Sequence, residues 1–294
     1  MPELPEVETV KRTLQMLVKG KTIASVSVEL PRIIRLPGEP EEFARLLEGQ
    51  TIRDVERRGK FLRFLLDDMV LVSHLRMEGR YGVYPAEAPR ELHTHVLFHF
   101  TDGTDLRYKD VRQFGTMHLF RTGEDLVSPP LHKLGLEPLD QAFTLAAFTA
   151  RIAGRSTKIK PLLLNQEVIV GIGNIYADEA LYTAGIHPAR TADSLSPAEL
   201  KRLHRAVVDT LAESVQAGGS SIKSYVNGQG EMGMFQHQLK AYGRKNEPCG
   251  HCGRPIEKTV LAGRGTHFCP HCQPEVTRRM KKLRRSKGHP TKEE

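Results

Sequence analysis

The chain opens Met1-Pro2-Glu3-Leu4-Pro5-Glu6-Val7-Glu8. Once Met1 is removed, the secondary amine of Pro2 is the first group of the protein, with the Glu3 carboxylate beside it. Such an amine attacks an aldehyde-like carbon to give an iminium, an electron sink, and an adjacent carboxyl can move the protons. The same residues also suit an ordinary helix start, because proline is favoured at the first helical position and acids in the first turn. Taken alone, these eight residues fit the helix start better than the nucleophile.

A second chemical signal lies near the other end. All four cysteines of the chain fall in two pairs, Cys249-x2-Cys252 and Cys269-x2-Cys272. Each pair can chelate one ion, and two pairs close a tetrahedral thiolate site. With no coordination position left open, the spacing predicts one structural zinc. Two disulfides are the alternative, and an intracellular chain disfavours them. His251, His267 and His271 lie nearby but are not needed as ligands. Between the pairs, residues 258–266 read as a β-hairpin whose tip carries Arg264 between Gly263 and Gly265. That tip could bring a guanidinium to a phosphate or simply face solvent.

Three further segments carry candidates. Gly171-Ile172-Gly173-Asn174-Ile175-Tyr176 lacks the third glycine of a dinucleotide fingerprint. It reads as a tight turn into a helix beginning at Asn174, where backbone amides and the Asn174 side chain suit a phosphate, or as simple N-capping. Lys60, in Arg57-Arg58-Gly59-Lys60 between two strands, is a phosphate contact or an exposed turn residue. The segments 73–80 and 110–115 put Met77 and Phe114 near turns, where they are core residues or wedges between bases.

These residues need elements to hold them. Val7, Val10, Leu14 and Leu17 recur at helical spacing over residues 3–18, with Gly20 as the stop. From 22 to 121 the chain changes to short β-type runs: Thr22–Val28, Phe61–Leu66, Val70–Ser73 and His95–Phe100. Asp102-Gly103 marks a hairpin turn into Asp105–Lys109. Many short strands predict a sandwich or barrel. Pro129-Pro130 and Leu134–Pro138 mark a boundary, after which the pattern is helical. Ser196-Pro197-Ala198-Glu199 is a capping box opening a helix that ends near Gly218-Gly219. The five glycines of 218–233 predict a mobile loop.

A chain of 294 residues with 39% hydrophobic and 27% charged content reads as a soluble protein of about two domains. No apolar run approaches a membrane span and no signal peptide is visible, so the expected compartment is the cytoplasm. The net charge is +8, and residues 277–287 hold seven bases and no acid. Such a tail suggests sequence-blind attraction to phosphates, or a solvated segment with no specific partner.

Together these motifs closely resemble the bacterial formamidopyrimidine-DNA glycosylases over about residues 1–273. The resemblance rests on Pro2–Glu8, Arg58-Gly59-Lys60, His74-Leu75-Arg76-Met77, Gly171–Tyr176 and the four-cysteine finger with Gly263-Arg264-Gly265. It implies an α+β multidomain chain: an N-terminal β-sandwich with a leading α-helix (1–130), a helix–two-turn–helix domain (131–235), a β-hairpin zinc finger (236–273) and a basic tail (274–294). DNA would lie in the cleft between the two main domains. The implied activity is removal of oxidised purines from double-stranded DNA, by a monomer holding one structural zinc on Cys249, Cys252, Cys269 and Cys272.

Residue by residue, the resemblance implies that Pro2 is the nucleophile and Glu3 the proton carrier, with Lys60 and Arg264 supporting the elimination steps. Lys60, His74, His93, Arg155, Asn174 and Arg264 would grip phosphates. Met77, Arg112 and Phe114 would fill the void left by a flipped base, with Arg112 bonding the orphaned cytosine. Ser220, Ser221 and Tyr225 would lie in the loop that closes over the lesion. Asn165 departs from the pattern, since relatives usually carry an acid there. The rival readings are a sister branch acting on oxidised pyrimidines and a non-catalytic zinc-finger DNA binder.

Overall fold

The computed structural model describes residues 1–220 and 234–275. Residues 221–233 of the expected loop at 218–233, and the tail beyond 275, fall outside the described residues. By packing, the chain forms two compact units, each discontinuous in sequence. The first comprises the described residues of 1–143, 165–173 and 208–238; the second comprises those of 144–164, 174–207 and 239–294.

The first unit begins with α1 (Leu4–Val18), whose Val7, Val10, Leu14 and Val18 are buried. Pro5 lies in the first turn, and positive-φ Gly20 follows the end of the helix. The strands are β1 (Ile23–Val28), β2 (Ile34–Leu36), β3 (Asp54–Arg58), β4 (Phe61–Leu65), β5 (Met69–His74), β6 (Arg80–Pro85), β7 (Thr94–Phe100), β8 (Thr104–Lys109) and β9 (Thr116–Arg121). They form a four-stranded sheet, β1-β7-β8-β6, and a five-stranded sheet, β2-β9-β5-β4-β3. All pairs are antiparallel except β2 with β9.

Side chains from both sheets share one core with α1, including Phe98 and Tyr108 from the first sheet and Phe64 and Leu71 from the second. Phe64 and Tyr81 meet edge-on at 5.4 Å, and the Tyr81 hydroxyl donates to Ser73 Oγ at 2.8 Å. This is the expected β-sandwich with its leading helix. Strand β5 is buried along its whole length because it packs on both faces. Leu71 faces the main core, while Val70 and Val72 face a second cluster with Phe120 and Leu131. The helix α2 (Pro40–Leu47) buries only Phe43 and Leu47, too short a stripe for periodicity to announce.

The second unit contains α3 (Leu145–Ile152), α4 (Ile159–Leu164) and α5 (Asn174–Ala184), together with Pro197–Val207 of α6 (Pro197–Gln216). The capping box forms as expected: Glu199 N–H donates to Ser196 Oγ at 3.3 Å and Ser196 N–H to Glu199 Oε2 at 2.8 Å. Burial opposes ionisation of Glu199, but hydrogen bonds from Arg190 and the Ser196 amide outweigh it and hold the carboxyl down to about 2. The unit closes with a hairpin, β10 (Glu257–Leu261) and β11 (Arg264–Phe268). Its turn is Ala262-Gly263, both at positive φ. Arg264 is therefore the first residue of β11, opposite Leu261, rather than the tip itself.

No helix among the described residues is long and apolar enough to cross a membrane.

Candidate active site

In the first unit, the start of α1 is buried: Pro2 and Glu3 are both covered, while Met1 is 49% exposed. The Glu6 carboxylate, one turn along, accepts the Glu3 N–H at 2.7 Å. The Glu3 carboxylate accepts the Gly173 N–H at 2.7 Å, and Leu4 N–H donates to Gly171 O at 3.0 Å. Both glycines are required by this docking. A Cβ at Gly173 would lie 2.3 Å from Glu3 Cδ. One at Gly171, which sits at φ +84, would lie 2.6 Å from Leu4 Cβ.

Two amides of the turn leading to Asn174 are thus engaged within the protein. Gly173 N–H serves Glu3, and Gly171 N–H donates to Gln166 Oε1 at 2.9 Å. The glycines accept the start of α1.

Lys60 belongs to the same corner. It is buried, and its Nζ donates at 2.9 Å to Ile172 O, the carbonyl next to the amide that holds Glu3. Gly59 supplies the turn, at φ +57, with Val170 packed against its α-carbon. Glu137 fixes that turn by accepting from Gly59 N–H and Arg58 Nη1, both at 3.0 Å, and from Arg57. Thus the Glu3 carboxylate and the Lys60 amine are both held by the turn at Ile172-Gly173, more than a hundred residues further along the chain than either. Ser220 joins them: its N–H donates to Glu6 Oε1 at 2.7 Å. Ser221 and Tyr225 lie outside the described residues.

His74 is buried beside Lys60, its ring edge-on to Phe61 at 4.5 Å. Burial, reinforced by the charges of Arg76 and Lys60, pushes its pKa down to about 3. Nδ1 accepts the Arg76 N–H at 2.9 Å, so the neutral ring carries its proton on Nε2 as a donor. Met77 is half-buried; Arg112 and Phe114 are exposed and pair with each other, the guanidinium 5.0 Å from the ring centroid. His93 is half-buried at φ 67, and its carbonyl accepts the Asp110 N–H.

In the second unit, the Asn174 side chain donates to Gly265 O at 2.9 Å, which ties the start of α5 to β11 directly after Arg264. Behind this contact is a residue the sequence reading overlooked, Lys160. It is fully buried; its Nζ donates to Gly265 O at 2.9 Å and Thr266 Oγ1 at 2.8 Å, and pairs with Asp178 at 2.7 Å. Asp178 also accepts the His267 N–H at 2.9 Å. The visible signal was a lysine inside the apolar run Ile159–Leu164. Arg264 is exposed on this platform. Arg155 is exposed between α3 and α4, with its carbonyl accepting from Asp193 N–H, and has no hydrogen bond to Asn174 or Arg264.

The four cysteine Sγ atoms lie within 4.8 Å of one another. Cys252 and Cys269 are 3.5 Å apart and Cys249 and Cys272 are 3.9 Å apart. These separations are far too long for disulfides and close to the ~3.8 Å edge of a tetrahedral zinc–thiolate site. Tyr182 OH lies 3.1 Å from Cys249 Sγ, placed to donate to a thiolate. The residues fit one structural zinc, with no open position for catalysis.

Comparisons with known proteins agree with this arrangement. Residues 1–117 match the formamidopyrimidine-DNA glycosylase N-terminal domain, 134–226 the H2TH domain of the same enzymes, and 246–274 a zinc finger found in FPG and IleRS. A formamidopyrimidine-DNA glycosylase of Brevibacillus brevis is 64% identical over 93% of this chain and 99% of its own length; that of Shouchella clausii is 61% identical with the same coverage. A Lactococcus lactis Fpg (MutM) crystallised with N7-benzyl-Fapy-dG DNA is 42% identical, covers 93% of this chain and all of its own, and superposes with a TM-score of 0.86. The same relative has been crystallised with DNA containing an oxidised pyrimidine, at 41% identity and a TM-score of 0.85.

Proposed function

The chain belongs to the formamidopyrimidine-DNA glycosylase family, and from that premise we propose that it is a bifunctional glycosylase and abasic-site lyase of base-excision repair. Its substrate is double-stranded DNA carrying oxidised purines, 8-oxoguanine and formamidopyrimidines. It holds one structural zinc on Cys249, Cys252, Cys269 and Cys272.

The observation that carries the mechanism is the clamp on Glu3: its amide is held by Glu6 and its carboxylate by Gly173. Pro2 is thereby fixed at the head of α1. Met1 must be removed first, because a retained Met1 makes the Pro2 nitrogen an amide without a nucleophilic lone pair. The free amine attacks the anomeric carbon of the flipped nucleotide, and the damaged base leaves with the electrons of its glycosidic bond. Glu3 handles the proton as the sugar ring opens to an iminium. The iminium acidifies the adjacent carbon, and two eliminations release the two phosphates, supported by Lys60 and Arg264.

The sandwich (1–130) supplies the chemistry; the helical domain (131–235) and finger (236–273) supply grip, and the basic tail (274–294) adds non-specific affinity. Lys60, His74, His93, Arg155, Asn174 and Arg264 hold phosphates, His74 as a neutral donor. Met77, Arg112 and Phe114 fill the vacated stack, and Arg112 bonds the orphaned cytosine. Ser220, Ser221 and Tyr225 close over the base. The enzyme works as a monomer, in the bacterial cytoplasm on the DNA of the nucleoid.

The test is borohydride trapping on duplexes carrying 8-oxoguanine, a formamidopyrimidine or an oxidised pyrimidine, with intact-mass measurement of the N-terminus. A covalent adduct on Met1-free protein, strongest on oxidised purines opposite cytosine, is the expected result. A preference for the pyrimidine, the lesion class of one solved relative, would move the chain to the sister activity. An equally active protein with Met1 fully retained would overturn Pro2 as the nucleophile.

A further inference from the structure

Two loops of the first unit cross between its sheets side by side. Leu75–Gly79 leads from β5 to β6, and Asp110–Gly115 leads from β8 to β9. Their feet are neighbours, since His74 pairs with Thr116 and Arg80 with Lys109. Met77 lies on the first loop; Arg112 and Phe114 lie on the second. Each loop carries an L-residue in the left-handed region, Arg76 at φ 55 and Gln113 at φ 58, right beside these side chains. Residues rarely adopt that conformation unless the surroundings impose it.

In the second loop, what imposes it is Asp110, which is fully buried. Its Oδ1 accepts the Arg112 N–H at 3.1 Å, and its Oδ2 accepts the Gly115 N–H at 2.8 Å and the Tyr108 hydroxyl at 3.4 Å. Its carbonyl accepts His95 Nε2–H at 2.9 Å. The carboxylate thus spans the base of the second loop. Tyr108, also fully buried, puts its hydroxyl between the two loops. A Cβ at Gly115 would lie 1.7 Å from that oxygen and one at Gly79 only 2.3 Å from it. Both glycines are spaces occupied by one phenol.

We propose that Asp110 and Tyr108 are positioning residues that lock the two crossover loops together, so that Met77, Arg112 and Phe114 enter DNA as one preorganised wedge. This rests on the wedge role given to those three residues above. A wedge set before binding loses little conformational freedom on insertion, and Arg112 then meets the orphaned base in a fixed direction, which is what discriminates cytosine from other partners. The latch itself touches no DNA.

The test compares wild type, Asp110→Asn and Tyr108→Phe in single-turnover excision of 8-oxoguanine opposite cytosine and opposite adenine. Trapping on a single-stranded abasic oligonucleotide, which has no orphaned base, serves as the internal reference. Asn keeps the shape of Asp110 but cannot accept from both loop amides in the same way. The cytosine-to-adenine ratio is expected to fall about tenfold, as for loss of one charge-assisted hydrogen bond, while single-strand trapping stays unchanged. A merely destabilised protein would lose both rates together and keep the ratio. Tyr108→Phe, which retains the ring and the carboxylate, is expected to lower the ratio by less, and it decides the matter should Asp110→Asn not fold. An active wild type with an unchanged ratio in the folded variants would overturn the latch alone; a wild type that traps on no substrate would overturn the proposed activity beneath it.

Discussion

The corner around Glu3 and the platform beneath Arg264 solve opposite problems. At Glu3 the acting groups are buried, and the surroundings make room: two glycines are emptied of side chains so that a helix end can dock, and their amides are used up by Glu3 and Gln166. At Arg264 the acting group is exposed and the support is buried. A dehydrated Lys160–Asp178 pair fastens the Gly265 carbonyl and the Thr266 hydroxyl from behind. In the proposed mechanism the group that exchanges protons with a sugar is thus shielded and aimed, while the group that reaches for a phosphate stands exposed on a rigid mount.

Four measurements would sharpen or break that contrast. The largest effect is expected at the mount. Lys160→Met strands a buried Asp178 carboxylate and should cost about 3–5 kcal/mol in urea unfolding. Adding Asp178→Asn should recover a substantial part, and a mild effect of Lys160→Met alone would show that the pair is not the fastening. Next is the corner: Gly173→Ala pushes a Cβ into Glu3, and trapping on 8-oxoguanine DNA should fall about 100-fold while duplex affinity by fluorescence anisotropy holds. Equal loss of both would mean that the glycine serves the fold at large.

The third effect is on pH. His74 titrates near 6.5 when unfolded but near 3 when folded. Above pH 6.5 both states are neutral and nothing changes. As pH falls below 6.5 the unfolded chain gains a proton that the native chain refuses, so stability drops, by about 2 kcal/mol at pH 5 from this residue. Burial likewise pulls His118 down to about 4, so it acts in the same direction. Glu199, held near 2, loses its contribution only below about 4.5. Urea melts of wild type and His74→Gln between pH 7 and 5 should therefore diverge, the variant being flatter. The smallest effect is at Asn165. Its Oδ1 accepts the Glu167 N–H at 2.9 Å, a task an aspartate performs equally well. Asn165→Asp should shift stability by less than about 0.5 kcal/mol, and a larger change would mean that the missing charge matters.

How much of this could be read from the chain follows the range of each interaction. The four cysteines, the Ser196 cap, the β-runs and α1 are local patterns, and the structure follows them closely. The purpose of Gly171 and Gly173 was not legible, because the groups that demand them, Leu4 and Glu3, lie about 170 residues away. Glu137 escaped notice for the same reason, and Lys160 because a lysine is by default a surface residue. Asp110 sits in a segment that drew attention only for Arg112 and Phe114, although its burial is what shapes their loop.

The segmented build of the first unit also sets an order of events during synthesis. Glu3 cannot be clamped until Gly173 has been made, and at about 5–20 residues per second that segment follows the N-terminus by some 10–30 s. Throughout that interval the Glu3 carboxylate lacks the Gly173 amide that holds it in the folded protein. A polypeptide released early, short of residue 173, would therefore lack the contact that fixes Glu3.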